Sequence, residues 1–304
     1  MKHKKAILIF GPTASGKSKL SVDVAKKFSG EIINADSMQV YKEVKVLSAR
    51  PDSKSIKHHL YGFVSVKNNF SVGSWYKLVT KKIKEINKKG KIAIVTGGTG
   101  LYFKVLVDGL AEIPDVPKTD YSYLNPVGKF MMKNHYQKIY PKIFENIDIN
   151  DIQRVSRAIS VYEHTGISLS EWHKKKNKKY FRSNDFIKIC IIPSKPELEK
   201  RIKKRLLKML KNGAIEEVKK YRDLNLSLNS LNTSNSIIGL NEIALYLDKR
   251  ISLDELKDKM LIRTRQYAKR QYTWQRGQMK NWKGFTDINY LNLRKKVLSY
   301  LSKT

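Results

Sequence analysis

The stretch that decides the fold is Ile7-Leu8-Ile9-Phe10-Gly11-Pro12-Thr13-Ala14-Ser15-Gly16-Lys17-Ser18. An apolar run ends there in Gly-x-x-x-x-Gly-Lys-Ser, and a helical pattern follows over residues 19–27, as in the strand, loop and helix of a phosphate-binding P-loop. Gly11 and Gly16 permit a tight backbone whose N–H groups converge at the positive end of a helix dipole. Lys17 adds a positive charge, and Ser18 offers a hydroxyl to Mg²⁺. The loop therefore predicts a di- or triphosphate ligand without specifying which one.

The charge of the chain predicts an anionic partner. Among its 304 residues, 61 are Lys or Arg and 27 are Asp or Glu, which gives a net charge of +34. A compositional bias toward Lys would also raise the charge, but such a field attracts polyanions, and we favour a nucleic acid as the partner. A membrane surface is less favoured because no long basic amphipathic helix stands out. The single cysteine, Cys190, lies in an apolar run, as expected for a buried residue in the reducing cytosol. No apolar run suits a signal peptide or a transmembrane helix, so we expect a cytoplasmic protein without membrane contact.

Predicted strands alternate with predicted helices along the chain. Apolar runs predict buried strands at residues 5–10, 31–35, 91–96 and 186–192. Helical periodicity predicts helices over residues 16–28, 71–87, 197–211, 214–224, 237–247 and 253–274, whereas the tail from residue 281 is weakly patterned. We predict an α/β, P-loop NTPase-like fold with a doubly wound parallel sheet, a mostly helical insertion and a helical C-terminal part.

The insertion is predicted from a break in this pattern. Four prolines interrupt residues 111–141, and a helix capped by Asn150 is expected over residues 150–164. We therefore predict a P-loop core over residues 1–110 and 186–304, with the mostly helical insertion over residues 111–185.

Three candidate stretches follow predicted strands: the P-loop, Asp36-Ser37 and Gly97-Gly98-Thr99. Ligands of doubly wound sheets bind beyond the carboxyl ends of the strands, so these stretches are expected to form one active site. Asp36 is equally suited to act as a general base or to cap a helix or bind a Mg²⁺ water. Thr99 offers a hydroxyl to a phosphate or a polar reacting group, although such glycine-rich turns are also common without function.

Two helices in the C-terminal half carry basic stripes. Arg201, Arg205 and Lys208 share one helical face, which either faces solvent or reaches over the phosphates. A second face combines basic and aromatic side chains, which suits RNA phosphates and unpaired bases better than a plain surface helix: Arg263, Tyr267, Arg270 and Trp274.

Several of these motifs occur together in a specific order. They are residues 11–18 (GPTASGKS), 36–41 (DSMQVY), 97–102 (GGTGLY), 150–158 (NDIQRVSRA), 165–166 (TG), 201–218, 238–242 (IGLNE) and 265–276 (RQYAKRQYTWQR). In this order they resemble the tRNA dimethylallyltransferases, also called tRNA isopentenyltransferases, over most of the chain.

The resemblance implies a reaction. The P-loop would hold the diphosphate of dimethylallyl diphosphate, with Mg²⁺ near Ser18. The acceptor would be N6 of the adenosine 3′ of the anticodon, tRNA position 37, in tRNAs that read codons starting with U, and the product N6-isopentenyladenosine. That base would be flipped out of the anticodon-loop stack. Asp36 would be the general base, Thr99 would lie beside the amine, and Arg205 would stabilise the leaving diphosphate together with Lys17.

The resemblance also implies a tRNA-binding surface. Its residues would be Asp36, Ser37, Met38, Gln39, Gln153, Arg154, Val155, Ser156, Arg157, Arg265, Arg270, Trp274 and Arg276. The insertion would contact the anticodon stem-loop, and we expect a monomer. Residues 43–51 depart from the family pattern, with Lys45 in place of an acidic residue and Leu47 in place of a glycine.

Two alternatives share the P-loop. A small-molecule or nucleoside kinase normally has a second apolar strand that ends in a metal-binding Asp, and only residues 32–36 fit that pattern here. An RNA-stimulated NTPase would consume ATP, which a prenyl transferase does not. ATP consumption therefore discriminates between these classes.

Overall fold

The computed structural model describes residues 5–52, 55–116, 134–135, 137–138, 147–148, 151–175, 177–224 and 233–304. Its strands are β1 Ala6–Phe10, β2 Gly30–Asn34, β3 His58–His59, β4 Ile92–Gly97, β5 Phe186–Ile191 and β6 Lys283–Phe285. They form one six-stranded sheet in the order β3-β2-β4-β1-β5-β6, and every neighbouring pair is parallel. The predicted parallel α/β fold is thus confirmed.

Helices follow the strands and make up much of the C-terminal half. They are α1 Lys17–Lys27, α2 Val72–Lys88, α3 Gly100–Asp108, α4 Ile152–Thr165, α5 Leu169–Lys174, α6 Lys195–Lys211, α7 Ala214–Arg222, α8 Leu240–Leu247, α9 Leu253–Gln278 and α10 Tyr290–Lys303. The weakly patterned tail contains β6 and α10. Neither was predicted from the sequence, because β6 has only three residues and α10 shows its apolar stripe mainly through Leu293, Val297 and Leu301, which are buried.

The core explains why the strands read as continuous apolar runs. All five residues of β1 are buried, since strands lie on both sides of it and helices cover the faces of the sheet. Ile7, Ile94 and Ile189 pack with Leu20 and Val24 of α1 in one apolar cluster. This packing fixes the carboxyl end of β1, where the P-loop begins.

A buried carboxylate holds the short edge strand β3 in place. Glu31 on β2 accepts hydrogen bonds from His59 Nε2 at 2.7 Å and from Lys91 Nζ at 2.9 Å. Since β3 has only two residues, these side-chain bonds supplement its short backbone pairing with β2.

Side-chain caps hold the first turn of two helices, and at the second helix the capping residue differs from the predicted one. Ser71 caps α2 by accepting the Ser74 N–H at 3.0 Å. Asp151, not the predicted Asn150, caps α4, and its Oδ1 accepts the Arg154 N–H at 3.1 Å. Both residues are common caps, so the sequence left the starting residue uncertain by one.

The chain divides into two compact units. The first comprises Met1–Val107, Phe181–Leu228 and Asn232–Thr304 and contains the sheet. The second comprises Asp108–Tyr180 and Asn229–Leu231, and in it α4 buries Val155, Ala158, Ile159 and Val161. Within the described residues, no helix is long and apolar enough to span a bilayer.

Candidate active site

The P-loop connects β1 to α1 through a strained turn. Ala14 and Gly16 have φ of +60° and +90°, and a side chain at Gly11 would meet Ser15 Oγ at 2.6 Å and the Ile191 carbonyl oxygen at 3.2 Å. The glycine at position 11 is therefore required by its close neighbours, and Gly16 by its left-handed backbone. α1 begins immediately after the turn, so its positive end faces the loop.

Lys17 brings a poorly solvated cation to this loop. Its Nζ donates to the Pro12 carbonyl oxygen at 3.2 Å. Burial lowers the pKa of Lys17 to about 8; the Asp36 carboxylate raises it, and Arg205 lowers it further. Lys17 is half-buried and lines the cavity at the loop, where its ammonium group can pair with an anion.

Arg205 of α6 reaches the same place. Its Nη1 donates to Thr13 Oγ1 at 3.0 Å, and burial lowers its pKa while Asp36 raises it. Arg201, one turn earlier, instead binds Glu197 at 2.7 Å and the carbonyl oxygens of two other segments. Of the two arginines in the predicted stripe, Arg205 therefore enters the site, whereas Arg201 holds neighbouring segments together.

The carboxylate of Asp36 is held by a local turn. Asn34 Oδ1 accepts the Asp36 N–H at 2.8 Å, and Asn34 Nδ2 donates to the Asp36 carbonyl at 2.9 Å. Asp36 Oδ1 accepts the Met38 N–H at 3.0 Å. Asn34 is completely buried, and its role was not predicted from the sequence. These bonds orient the carboxylate beyond the end of β2.

Thr99 lies directly beside this turn. Its Oγ1 accepts the Ser37 N–H at 2.9 Å and donates to Ser37 Oγ at 3.2 Å, and its own N–H donates to the Ala35 carbonyl at 3.2 Å. A Cβ on Gly97 would lie 2.0 Å from the same carbonyl, so only glycine permits this approach. The structure therefore brings the three predicted stretches together.

Two adjoining cavities share three side chains: Thr13, Asp36 and Arg205. The first cavity, of about 400 Å³, is lined by the P-loop and by basic side chains of α6. The second, of about 300 Å³, has a largely apolar wall that includes Leu47, Leu206, Met209, Ile237 and Met260. An anionic group fits the first and an apolar group the second, with the carboxylate at their junction.

Loop 43–51, which departs from the family pattern, is fixed by a helix of the same unit. The two carboxylate oxygens of Glu217 accept the N–H groups of Val46 at 2.7 Å and Leu47 at 2.9 Å. Gln39 Nε2 donates to the Ser48 carbonyl at 2.9 Å. The loop thereby holds Leu47 in the wall of the second cavity.

Helix α9 contributes to the site in a way that the sequence did not reveal. Tyr267 lines the second cavity and is hydrogen-bonded to Thr99, and burial raises its pKa. The helical pattern had predicted this ring on an RNA-facing surface. Trp274 packs on α3, where a Cβ on Gly100 would lie 2.2 Å from its indole Cδ1. Helical periodicity identified the shared face but not what covers it.

The remaining predicted tRNA-binding residues lie in two places. On α9, Arg265, Arg270 and Arg276 are exposed, and Arg270 lies 5.7 Å from the Tyr267 ring centroid. In the second unit, Arg154 is exposed, whereas the side chains of Val155 and Ser156 are buried. There, burial lowers the pKa of Arg157 and Asp115 raises it. The side chain of Gln153 lies outside the described residues.

The fold and these contacts define a P-loop α/β protein in which a carboxylate, Asp36, lies between a cavity lined by the P-loop and basic side chains and a second, largely apolar cavity. The family model for IPP transferases matches residues 39–278. The chain is 47% identical over 291 residues to a tRNA dimethylallyltransferase of Pelagibacter ubique, covering 92% of this chain and 91% of that protein. The chain therefore belongs to the IPP transferase family, which confirms the resemblance drawn from its motifs.

Solved structures agree with this assignment. A eukaryotic dimethylallyltransferase acting on tRNA superposes with a TM-score of 0.81 at 28% identity, over 97% of this chain and 77% of that one. The full-length tRNA isopentenylpyrophosphate transferase of Bacillus halodurans superposes with a TM-score of 0.71 at 30% identity, over 99% and 96%.

Proposed function

We propose that this chain transfers the dimethylallyl group of dimethylallyl diphosphate to N6 of the adenosine 3′ of the anticodon, tRNA position 37, in tRNAs that read codons starting with U. The observation that carries the proposal is the junction of the two cavities at Asp36, with the P-loop and basic side chains on one side and, on the other, a largely apolar wall that also includes Arg263 and Arg270. Membership of the IPP transferase family favours prenyl transfer over the kinase and NTPase alternatives.

The first cavity suits the diphosphate. The P-loop N–H groups, the α1 dipole, Lys17 and Arg205 all present positive charge to it. When the bond between C1 of the prenyl group and the diphosphate oxygen breaks, the electron pair leaves with the diphosphate. Lys17 and Arg205 then stabilise the growing negative charge, and their burial strengthens this effect because few solvent dipoles compete.

The junction suits the acceptor amine. N6 forms its new bond to C1 of the prenyl group, and its proton passes to the Asp36 carboxylate. The bond to Met38 N–H leaves Asp36 Oδ2 to act as the base. Thr99, held by Ser37, would orient the amine as it enters from a flipped adenosine.

Mg²⁺ fits the same cavity. The Ser18 hydroxyl lines it, and such a hard oxygen donor suits this ion together with diphosphate oxygens. Bound there, the ion would neutralise part of the diphosphate charge. Among the described residues, no group of three His, Cys, Asp or Glu could hold a metal without the substrate.

The tRNA surface is proposed from charge and exposure. A net charge of +34 favours a polyanion, and Arg265, Arg270 and Arg276 are exposed on α9. We assign residues 1–110 and 186–304 to the P-loop core and residues 111–185 to contacts with the anticodon stem-loop. We also propose that the protein acts on tRNA as a monomer and in the cytoplasm.

A transfer assay tests this function. Dimethylallyl diphosphate carrying a labelled prenyl group is incubated with Mg²⁺ and tRNA that lacks the modification, and ATP consumption is followed in parallel. Label should enter the anticodon-loop adenosine without ATP consumption. A tRNA with guanosine at that position is the matched control and should remain unlabelled. ATP consumption without label transfer would refute the proposal in favour of a kinase or NTPase.

A further inference from the structure

One buried amide on α9 connects the P-loop to the turn that carries Thr99. Gln271 is 4% exposed. Its Oε1 accepts the Thr13 N–H at 2.8 Å, and its Nε2 donates to the Gly98 carbonyl at 2.8 Å. A single side chain therefore bonds two loops that are distant in sequence and that follow two neighbouring strands, β1 and β4.

The surroundings of this amide leave little room for another arrangement. A Cβ on Gly98 would lie 2.2 Å from Gln271 Nε2 and 3.3 Å from the Gly11 carbonyl oxygen. The Gly11 N–H donates to the Gly97 carbonyl at 3.3 Å, so the loops also touch directly. One partner of Gln271 is a donor and the other an acceptor, and a primary amide satisfies both at once.

Each loop reached by Gln271 carries a group used in the proposed reaction. Thr13 also accepts a hydrogen bond from Arg205, which faces the diphosphate, so helices α6 and α9 both fix it. Gly98 immediately precedes Thr99, whose hydroxyl is bonded to Ser37 beside the general base. A shift of about 1 Å between reacting groups costs about a hundredfold in rate, so the separation of these loops matters.

We propose that Gln271 is a positioning residue that sets the distance between the phosphate-binding loop and the Thr99 turn. It touches neither the diphosphate cavity nor the reacting atoms and acts through Thr13 and Gly98. The kinetic consequences of this role rest on the proposed prenyl transfer. The bridge between the two loops is independent of that reaction.

Kinetics of Gln271→Met, which keeps the side-chain length and removes both hydrogen bonds, test the proposal. The single-turnover rate at saturating substrates should fall about 10- to 100-fold. The dissociation constants of inorganic pyrophosphate and of tRNA should each change less than about threefold, because the groups proposed to bind them remain. Gln278→Met at the exposed end of α9 is the matched control and should keep the wild-type rate. An unchanged rate in Gln271→Met would overturn the proposal.

A double-mutant cycle separates positioning from general destabilisation. If Gln271 acts through the Thr99 turn, Gln271→Met should lower the rate much less in a Thr99→Ala background than in the wild type. Equal losses in the two backgrounds would overturn the proposed route through Thr99.

Amide hydrogen exchange tests the bridge independently of activity. Gln271→Met should accelerate exchange in peptides that contain Thr13 and in those that contain Thr99. Gln271→Glu keeps an acceptor for the Thr13 N–H and sets a carboxylate against the Gly98 carbonyl, so it should accelerate exchange mainly around Thr99. The Gln271→Glu variant also provides this test if the Gln271→Met variant does not fold. Unchanged exchange in both variants would overturn the proposal, whereas failure of the wild type to transfer a prenyl group would refute only the proposed function.

Discussion

Raising the pH above neutrality should weaken the binding of inorganic pyrophosphate, because Lys17 loses its proton in an unusually low range. Burial lowers the pKa of Lys17 from 10.5 to about 8, and the opposing effect of Asp36 does not restore it. Since the pKa is lowered, the charged form that binds the anion is present below about pH 8 and is lost as the pH rises through that value. An ordinary lysine would stay charged throughout this range.

The size of the effect follows from the pKa. About nine-tenths of the Lys17 ammonium groups are charged at pH 7 and about one-tenth at pH 9, so their contribution to affinity should fall about tenfold between these values. A bound diphosphate favours the charged form. At pH 8 the wild type should therefore take up about half a proton more per bound pyrophosphate than a variant without the Lys17 ammonium group.

Calorimetric titrations of the wild type and of Lys17→Met, between about pH 6.5 and 9.5, provide the measurement. The ratio of the two association constants cancels the titration of pyrophosphate itself, and buffers of different ionisation enthalpy report the proton uptake. The ratio should fall with a midpoint near pH 8. A ratio that stays constant to about pH 9 would refute the argument from burial.

Asp36→Asn should slow transfer about 10²- to 10⁴-fold with nearly unchanged tRNA affinity, since the amide oxygen still accepts the Met38 N–H but takes up no proton; single-turnover and filter-binding assays measure both. Replacing Arg270 and Arg276 with Ala should weaken tRNA binding and reduce its salt slope by about two, and an unchanged slope would mean that neither contacts phosphate. Burial raises the pKa of Glu31, but hydrogen bonds from a lysine and a histidine outweigh it and lower the pKa to about 2. The stability that Glu31→Gln removes should therefore be present above about pH 4.5 and vanish toward pH 2, as urea unfolding at several pH values would measure.

The parts of the site that the sequence predicts are those formed by local chemistry. The P-loop spacing, Asp36 after β2 and the glycine turn before Thr99 each follow a strand, and the parallel sheet brings strand ends together. The contacts of Gln271 and Tyr267 within the site were not predicted, because their partners lie far away in sequence. Helical periodicity groups side chains on a face, but it does not say which loop that face meets.

Helix α9 adds contacts to the site that the phosphate-binding loop does not provide. Tyr267 and Gln271 lie one turn apart on the same face, and both act on the segment around Thr99. The Arg265 and Arg276 side chains of the same helix are exposed. A rigid helix thus joins the surface proposed for tRNA to the turn proposed to receive its base. Prenyl transfer needs the acceptor placed against the diphosphate within a fraction of an ångström, and through Gln271 α9 bonds both loops that are proposed to hold them.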